Sequence, residues 1–104
     1  MYSLAEETAL RAVNDTLNRE ETTNLVILTR NHLIPEIRNI LVTSLPEGTK
    51  YEGSGWTLPN QSSVSIRAFQ ELPPESKYTL CVCSGGSLFS DDEIKSLKKW
   101  RKNE

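Results

Sequence analysis

Two short segments of the chain are apolar at every position, and both are flanked by segments with helical periodicity. They are residues 25–28 and residues 80–83. A strand that is apolar only on alternate residues has one face in water, whereas a strand that is apolar throughout is covered on both faces. In a chain that also contains helices, this pattern predicts two buried strands in a sheet that lies between helices.

Three segments have the apolar spacing of helices. The first runs from about residue 4 to residue 19, after a capping box that begins with Ser3. The second starts near Pro35, a residue suited to the first turn of a helix. The third follows a second capping box, which begins with Ser90, and its acidic residues precede its basic ones as the helix dipole favours.

Between the second helix and the second apolar segment, the sequence predicts a loop over residues 47–55 and then a hairpin. Residues 56–58 and 63–69 form its strands, and alternation of apolar and polar residues in the latter predicts one solvated face near a sheet edge. Strands linked by a helix-containing crossover are parallel. The chain is therefore predicted to form one domain over residues 1–104, a small three-layer α/β/α domain with a mixed, partly parallel central sheet.

Cys81 and Cys83 stand two residues apart in the second apolar segment, so their side chains share a face of that strand. We expect both to be buried and reduced, with Leu80 and Val82 buried on the opposite face. A metal site would need two further ligands, and His32 is the one histidine of the sequence. No metal-binding residues are predicted.

Composition sets limits on location and partners. The hydrophobic fraction of 37% and the charged fraction of 25% are ordinary for a globular chain, and a net charge of -2 provides no general attraction to nucleic acid or to anionic membranes. No apolar segment approaches the roughly 18 residues that span a bilayer. Glu6 and Glu7 stand where a signal peptide would be basic. We therefore expect a cytoplasmic protein without a membrane partner.

The loop at residues 84–87 follows a buried strand and precedes a helix, a position where α/β proteins bind phosphates through backbone amides. Its spacing matches neither the P-loop nor the dinucleotide fingerprint, and Asp91 and Asp92 at the start of the helix would repel an anion. We therefore interpret it as a connecting loop, with a phosphate site as the alternative. No catalytic or cofactor-binding residues are predicted.

Two sets of residues are candidates for contact with a partner. Tyr51 and Trp56 flank a glycine-containing loop, where aromatic side chains are typical contact anchors and equally typical lids over a small core. The last helix places cations around an aromatic residue, and this set consists of Lys95, Lys98, Lys99, Trp100, Arg101 and Lys102. It could contact a nucleic-acid backbone, with Trp100 stacking on bases, or it could be a solvated face with Trp100 packed in the core.

The order of these segments is also informative. A helix over residues 4–19 leads into a strand segment, residues 24–30, that ends in an arginine. A hairpin with a Pro-Asn turn at residues 58–60 follows, and the last strand runs into a turn at residues 90–94. This succession, which covers most of the chain, resembles the ATPase core of phage terminase large subunits and related P-loop NTPases.

The residues that perform ATP hydrolysis in that family are missing at the matching positions. Met1 stands where the Walker A loop would end, and Ser84 and Gly85 stand where the Walker B carboxylates would hold magnesium. The resemblance thus implies the fold without the ATPase activity, used to bind a partner. We predict a small, non-enzymatic binding or regulatory protein of the kind phages encode, which acts through protein–protein contact. The alternative is a nucleic-acid-binding protein that uses its basic C-terminal helix.

Overall fold

The structure is a computed structural model that describes residues 3–53, 55–71, 77–83, 86 and 88–101. Helices and strands alternate along these ranges, and a short 3-10 helix at Asn31–Leu33 follows the first strand. In chain order the elements are α1 (Leu4–Leu17), β1 (Asn24–Thr29), α2 (Ile34–Ser44), β2 (Lys50–Glu52), β3 (Gly55–Thr57), β4 (Ser63–Ala68), β5 (Thr79–Cys83) and α3 (Asp91–Arg101).

The strands form one mixed sheet in the order β2-β3-β4-β1-β5. Strand β1 pairs in parallel with β4 on one side and with β5 on the other, whereas β3 pairs antiparallel with both β2 and β4. The two apolar segments are therefore neighbours, with Leu25 opposite Thr79. The predicted parallel pair, the hairpin of β3 and β4, and the mixed sheet are confirmed.

Alternate side chains of β1 belong to two separate cores. Leu25 and Ile27 pack with α1 and α2, while Val26 and Leu28 pack on the other face in a core that contains Trp100 of α3. All four of these β1 side chains are at most 2% exposed. Helices thus cover both faces of β1, as its unbroken apolar pattern predicts, and the three-layer arrangement is confirmed.

Both predicted capping boxes are present. The Ser3 hydroxyl accepts a hydrogen bond from the Glu6 amide at 3.2 Å, and the Glu6 carboxylate accepts one from the Ser3 amide at 3.3 Å. At the start of α3, the Ser90 hydroxyl and the Glu93 carboxylate make the same reciprocal pair at 3.3 and 2.9 Å. Each box satisfies two amides that a helix start leaves without an intrahelical acceptor.

Two predictions about strands are wrong. The segment at residues 47–55 includes β2, which pairs with β3, although its three residues carry no apolar pattern that could predict a strand. Strand β4 lies between β3 and β1 and not near an edge. Its alternation of buried residues with half-buried Ser65 and Arg67 arises because one face of the sheet is only partly covered there.

Candidate functional site

Strand β5 is the last strand of the described sheet, and its burial differs from the prediction for that reason. Cys83 is buried as expected, but Leu80, Cys81 and Val82 are only half-buried. On the side away from β1, no strand in the described part of the chain pairs with β5. An apolar pattern reports that the two faces of a strand are covered, and it carries no information on whether both edges are paired.

The two cysteines are unbridged, and their sulfur atoms lie 3.9 Å apart on the same face of β5. The Cys81 sulfur also lies 3.9 Å from the Thr8 carbonyl oxygen. The contact with Cys81, together with burial, raises the pKa of the Cys83 thiol. Cys83 is therefore a neutral core side chain, and no group of three potential metal ligands occurs among the residues described.

A groove of about 270 Å³ lies between α1 and the side of the sheet formed by β5, and it reaches Leu25 of β1. Its wall on α1 carries the three charged side chains Arg11, Asp15 and Arg19, and β5 contributes Thr79, Leu80 and Cys81. All three charged side chains are exposed, and none forms an ion pair with any side chain that the structure describes. Charge and half-buried strand surface therefore meet at this edge of the sheet.

The opposite edge of the sheet is formed by β2 and contains one of the predicted contact residues. Tyr51 is 63% exposed, and its ring packs edge-to-face on Trp56 with centroids 6.2 Å apart. Trp56 itself is only 5% exposed and belongs to the core beneath α1 and α2. Of the two predicted aromatic contact residues, Tyr51 is on the surface and Trp56 is a core side chain.

Trp100 is fully buried in the core on the α3 side of the sheet. Its indole N–H donates to the Phe69 carbonyl oxygen at 3.3 Å, and the Tyr78 hydroxyl donates to the Trp100 carbonyl oxygen. The Tyr78 and Trp100 rings also make an edge-to-face contact at 5.5 Å. The Trp100 ring is thus packed in the core, which agrees with the interpretation of this helix as a solvated face over a core tryptophan. The ring presents no surface on which a base could stack.

The lysines of α3 lie on the surface. Lys95, Lys98 and Lys99 are exposed, and their spacing of three and four residues places them on one side of the helix. Arg101 ends α3, with only its backbone described, and Lys102 lies outside the described residues. The described part of the predicted basic surface therefore consists of three lysines without an accessible aromatic ring.

An ion pair that the sequence did not predict joins the end of β1 to the start of α3. The Arg30 Nε and Nη2 atoms donate to the two carboxylate oxygens of Glu93 at 2.6 and 3.0 Å, and Nη2 also donates to the Leu88 carbonyl oxygen at 2.9 Å. Arg30 and the Ser90 amide lower the pKa of Glu93 from 4.5 to about 2. Arg30 follows a buried strand and Glu93 belongs to a capping box, but nothing in the sequence pairs them.

This ion pair occupies the place where open α/β sheets bind ligands, beyond the carboxyl ends of neighbouring strands. After β1 the chain passes to α2 on one face of the sheet, and after β5 it passes to α3 on the other. The ion pair between Arg30 and Glu93 joins these two connections, and each of its charges is neutralised by the other. The suggested phosphate loop at residues 84–87 lies outside the described residues except for Gly86.

None of the described helices is both long and apolar enough to cross a bilayer. The chain matches no family model, no curated protein and no solved structure with which it was compared. The geometry of the two sheet edges and of α3 is therefore the basis on which a function is inferred.

Proposed function

We propose that this chain is a small, non-enzymatic binding or regulatory protein that acts through protein–protein contact at the outer edge of β5. The observation that carries this proposal is that β5 itself carries neither a charged residue nor a proline along Thr79–Cys83. Exposed strand edges invite pairing with another chain, and natural sheets discourage it with charged side chains, prolines, bulges or very short strands. The five residues of β5 include no charge and no proline, and their register with β1 is continuous.

The two edges of the same sheet differ in this respect, and the difference supports the proposal. Strand β2 has only three residues, and two of them are Lys50 and Glu52. It therefore carries two of the usual protective features, short length and the exposed charge of Lys50. One edge strand of this sheet is short and charged, whereas the other is longer and uncharged. This difference is best explained if a partner covers the uncharged strand when the protein functions.

A charge placed on β5 should abolish partner binding. The full chain is immobilised and exposed to an extract of the cells that naturally make it, and stoichiometric protein partners are identified. Thr79→Glu places a carboxylate on the edge, because Thr79 is half-buried and lines the groove. We expect at least a tenfold loss of captured partner, since a charge at an edge opposes strand pairing.

The matched control is Thr43→Glu, which makes the same substitution at an exposed position of α2. The amount of partner that Thr43→Glu captures should equal the amount captured by the wild type. Equal capture by Thr79→Glu and Thr43→Glu would contradict the assignment of the contact to β5. Circular dichroism of both variants shows whether the fold is retained.

A second candidate function is nucleic-acid binding through Lys95, Lys98 and Lys99, which is favoured by their exposure on one side of α3. Three lysines give a small patch, and the net charge of -2 opposes binding to phosphates. This function would be supported if the affinity for nucleic acid fell steeply with salt concentration. The affinity should fall further when Lys98 and Lys99 are replaced by alanine. Absence of binding at low ionic strength would exclude it.

A further inference from the structure

We propose that the partner contributes an extended segment of alternating acidic and apolar side chains, which adds to the sheet as a sixth strand beside β5. The inference rests on the proposed function and specifies the chemistry of the partner. Addition of a strand gives affinity through backbone hydrogen bonds and specificity through the alternate side chains. The side chains that such a strand would need can be inferred separately for the two faces of β5.

The faces of β5 fix how the added strand must alternate. Cys81 and Cys83 face the core beneath α1 and α2, whereas Leu80 and Val82 face the core beneath α3. Side chains directly across from each other in neighbouring strands lie on the same face of a sheet. Every second side chain of an added strand therefore lies against the α1 wall of the groove, and the others lie beside Leu80 and Val82.

The α1 side of the groove favours acidic side chains. Arg11 and Arg19 stand on this wall with Asp15 between them, and Lys77 is an exposed residue just before β5. Arg11, Asp15 and Arg19 sum to a charge of +1 on this wall. Lys77 and Glu21 line the neighbouring groove beside Thr79 and together add no net charge, in a protein whose net charge is -2. Carboxylates on the partner would meet cations that form no ion pair with the described side chains.

The α3 side favours apolar side chains. Leu80 and Val82 are half-buried, and the core that they join consists of apolar and aromatic residues, among them Tyr78 and Trp100. Apolar side chains on the partner would cover the remaining exposed surface of Leu80 and Val82, as cross-strand neighbours do within a sheet. The two faces together select a segment that alternates glutamate or aspartate with valine, isoleucine or a similar residue.

A second copy of this chain is a poorer occupant of the same edge. If β5 paired with β5 of another copy, the added strand would be Thr79–Cys83, which carries no acidic residue. Arg11 and Arg19 would then remain without carboxylates from the added strand. The charge of the groove therefore favours a different protein over self-association.

The test uses two labelled synthetic peptides of equal length, one alternating valine with glutamate and the other alternating valine with lysine. Fluorescence anisotropy with the full chain should detect saturable binding of the valine–glutamate peptide and at least tenfold weaker binding of the valine–lysine peptide. Arg11→Gln and Arg19→Gln should each weaken binding of the first peptide about three- to fivefold, the size of an exposed ion pair. Asp15→Asn should strengthen it about threefold for the same reason.

Lys98→Gln is the matched control, because it removes one positive charge from an exposed site on α3 that does not line the groove. Lys98→Gln should leave the affinity for the valine–glutamate peptide unchanged. Equal binding of the two peptides, or an equal loss from Lys98→Gln and Arg11→Gln, would overturn the proposal. A dimeric chain that Thr79→Glu converts to a monomer would also overturn it, since the edge would then hold a second copy.

The failures of the two proposals are distinguishable. If the valine–glutamate peptide does not bind while Thr79→Glu still abolishes capture of the natural partner, the chemistry assigned to the partner is wrong and the proposed function stands. If Thr79→Glu has no effect on capture, the proposed function itself is contradicted.

Discussion

Replacing Trp100 with alanine is expected to lower the free energy of unfolding by about 3–5 kcal/mol, the usual cost of removing a large aromatic side chain from a core. Trp100 is 0% exposed and is the largest fully buried side chain of the described core. Its loss removes the ring contact with Tyr78 and leaves the Phe69 carbonyl oxygen without its indole donor. Urea unfolding followed by circular dichroism measures the change.

Lys99→Ala is the control, since Lys99 is the exposed neighbour on the same helix and should change the free energy of unfolding by no more than about 0.5 kcal/mol. Trp100→Phe keeps most of the ring packing but removes the indole N–H. It should cost about 1–3 kcal/mol, because the Phe69 carbonyl oxygen then loses the indole N–H that donates to it. If Trp100→Ala and Lys99→Ala had equal effects, α3 would not pack on the sheet and the third layer would be absent.

Replacing Arg30 with methionine should lower the free energy of unfolding by about 1–3 kcal/mol at neutral pH. The reason is that the Glu93 carboxylate, whose side chain is 12% exposed, would lose two charge-assisted hydrogen bonds and remain charged. Methionine retains much of the aliphatic stem of arginine, so the loss reports the charge and not the packing. Urea unfolding at neutral pH measures this loss.

The same pair predicts an acid dependence of stability. Arg30 and, to a smaller extent, the Ser90 amide hold the pKa of Glu93 at about 2, below its ordinary value of 4.5. A group with a lowered pKa in the folded state stabilises the fold above its ordinary pKa, and this contribution is lost as the pH falls from about 4.5 toward 2. In Arg30→Met most of this part of the acid dependence should disappear, because Arg30 is the main cause of the lowered pKa of Glu93. In Glu93→Gln all of it should disappear, since the titrating carboxyl group is removed. Wild-type acid dependence in both variants would show that the ion pair does not form.

How far the fold follows from the sequence is illustrated by β1 and β5. Both segments are apolar at every position, and both are strands that pair in parallel. Only β1 is covered completely, because β5 is the last strand of the described sheet. Strand order depends on how the whole chain packs, so the edge that we propose as the contact surface could not be located from the sequence. The sequence does not predict strand β2, because Lys50, Tyr51 and Glu52 carry no apolar alternation.

The candidate site was harder to predict than the fold, because its residues are far apart in the chain. Arg30 and Glu93 are separated by 63 positions, and the groove combines α1 with β5. Local patterns did identify aromatic and basic residues, but they could not tell a surface ring from a core ring. Tyr51 is exposed, whereas Trp56 and Trp100 are buried.

The central claim, that the outer edge of β5 receives a strand from a partner, is tested most directly by amide hydrogen exchange measured by NMR. Every second amide of an edge strand points away from its neighbour strand and has no backbone acceptor there. In the free protein we therefore expect alternate amides of β5 to exchange rapidly, and we expect the valine–glutamate peptide to slow them while the amides of β2 are unaffected. Full protection of β5 before the peptide is added, or slowed exchange confined to β2 or α3, would contradict the account.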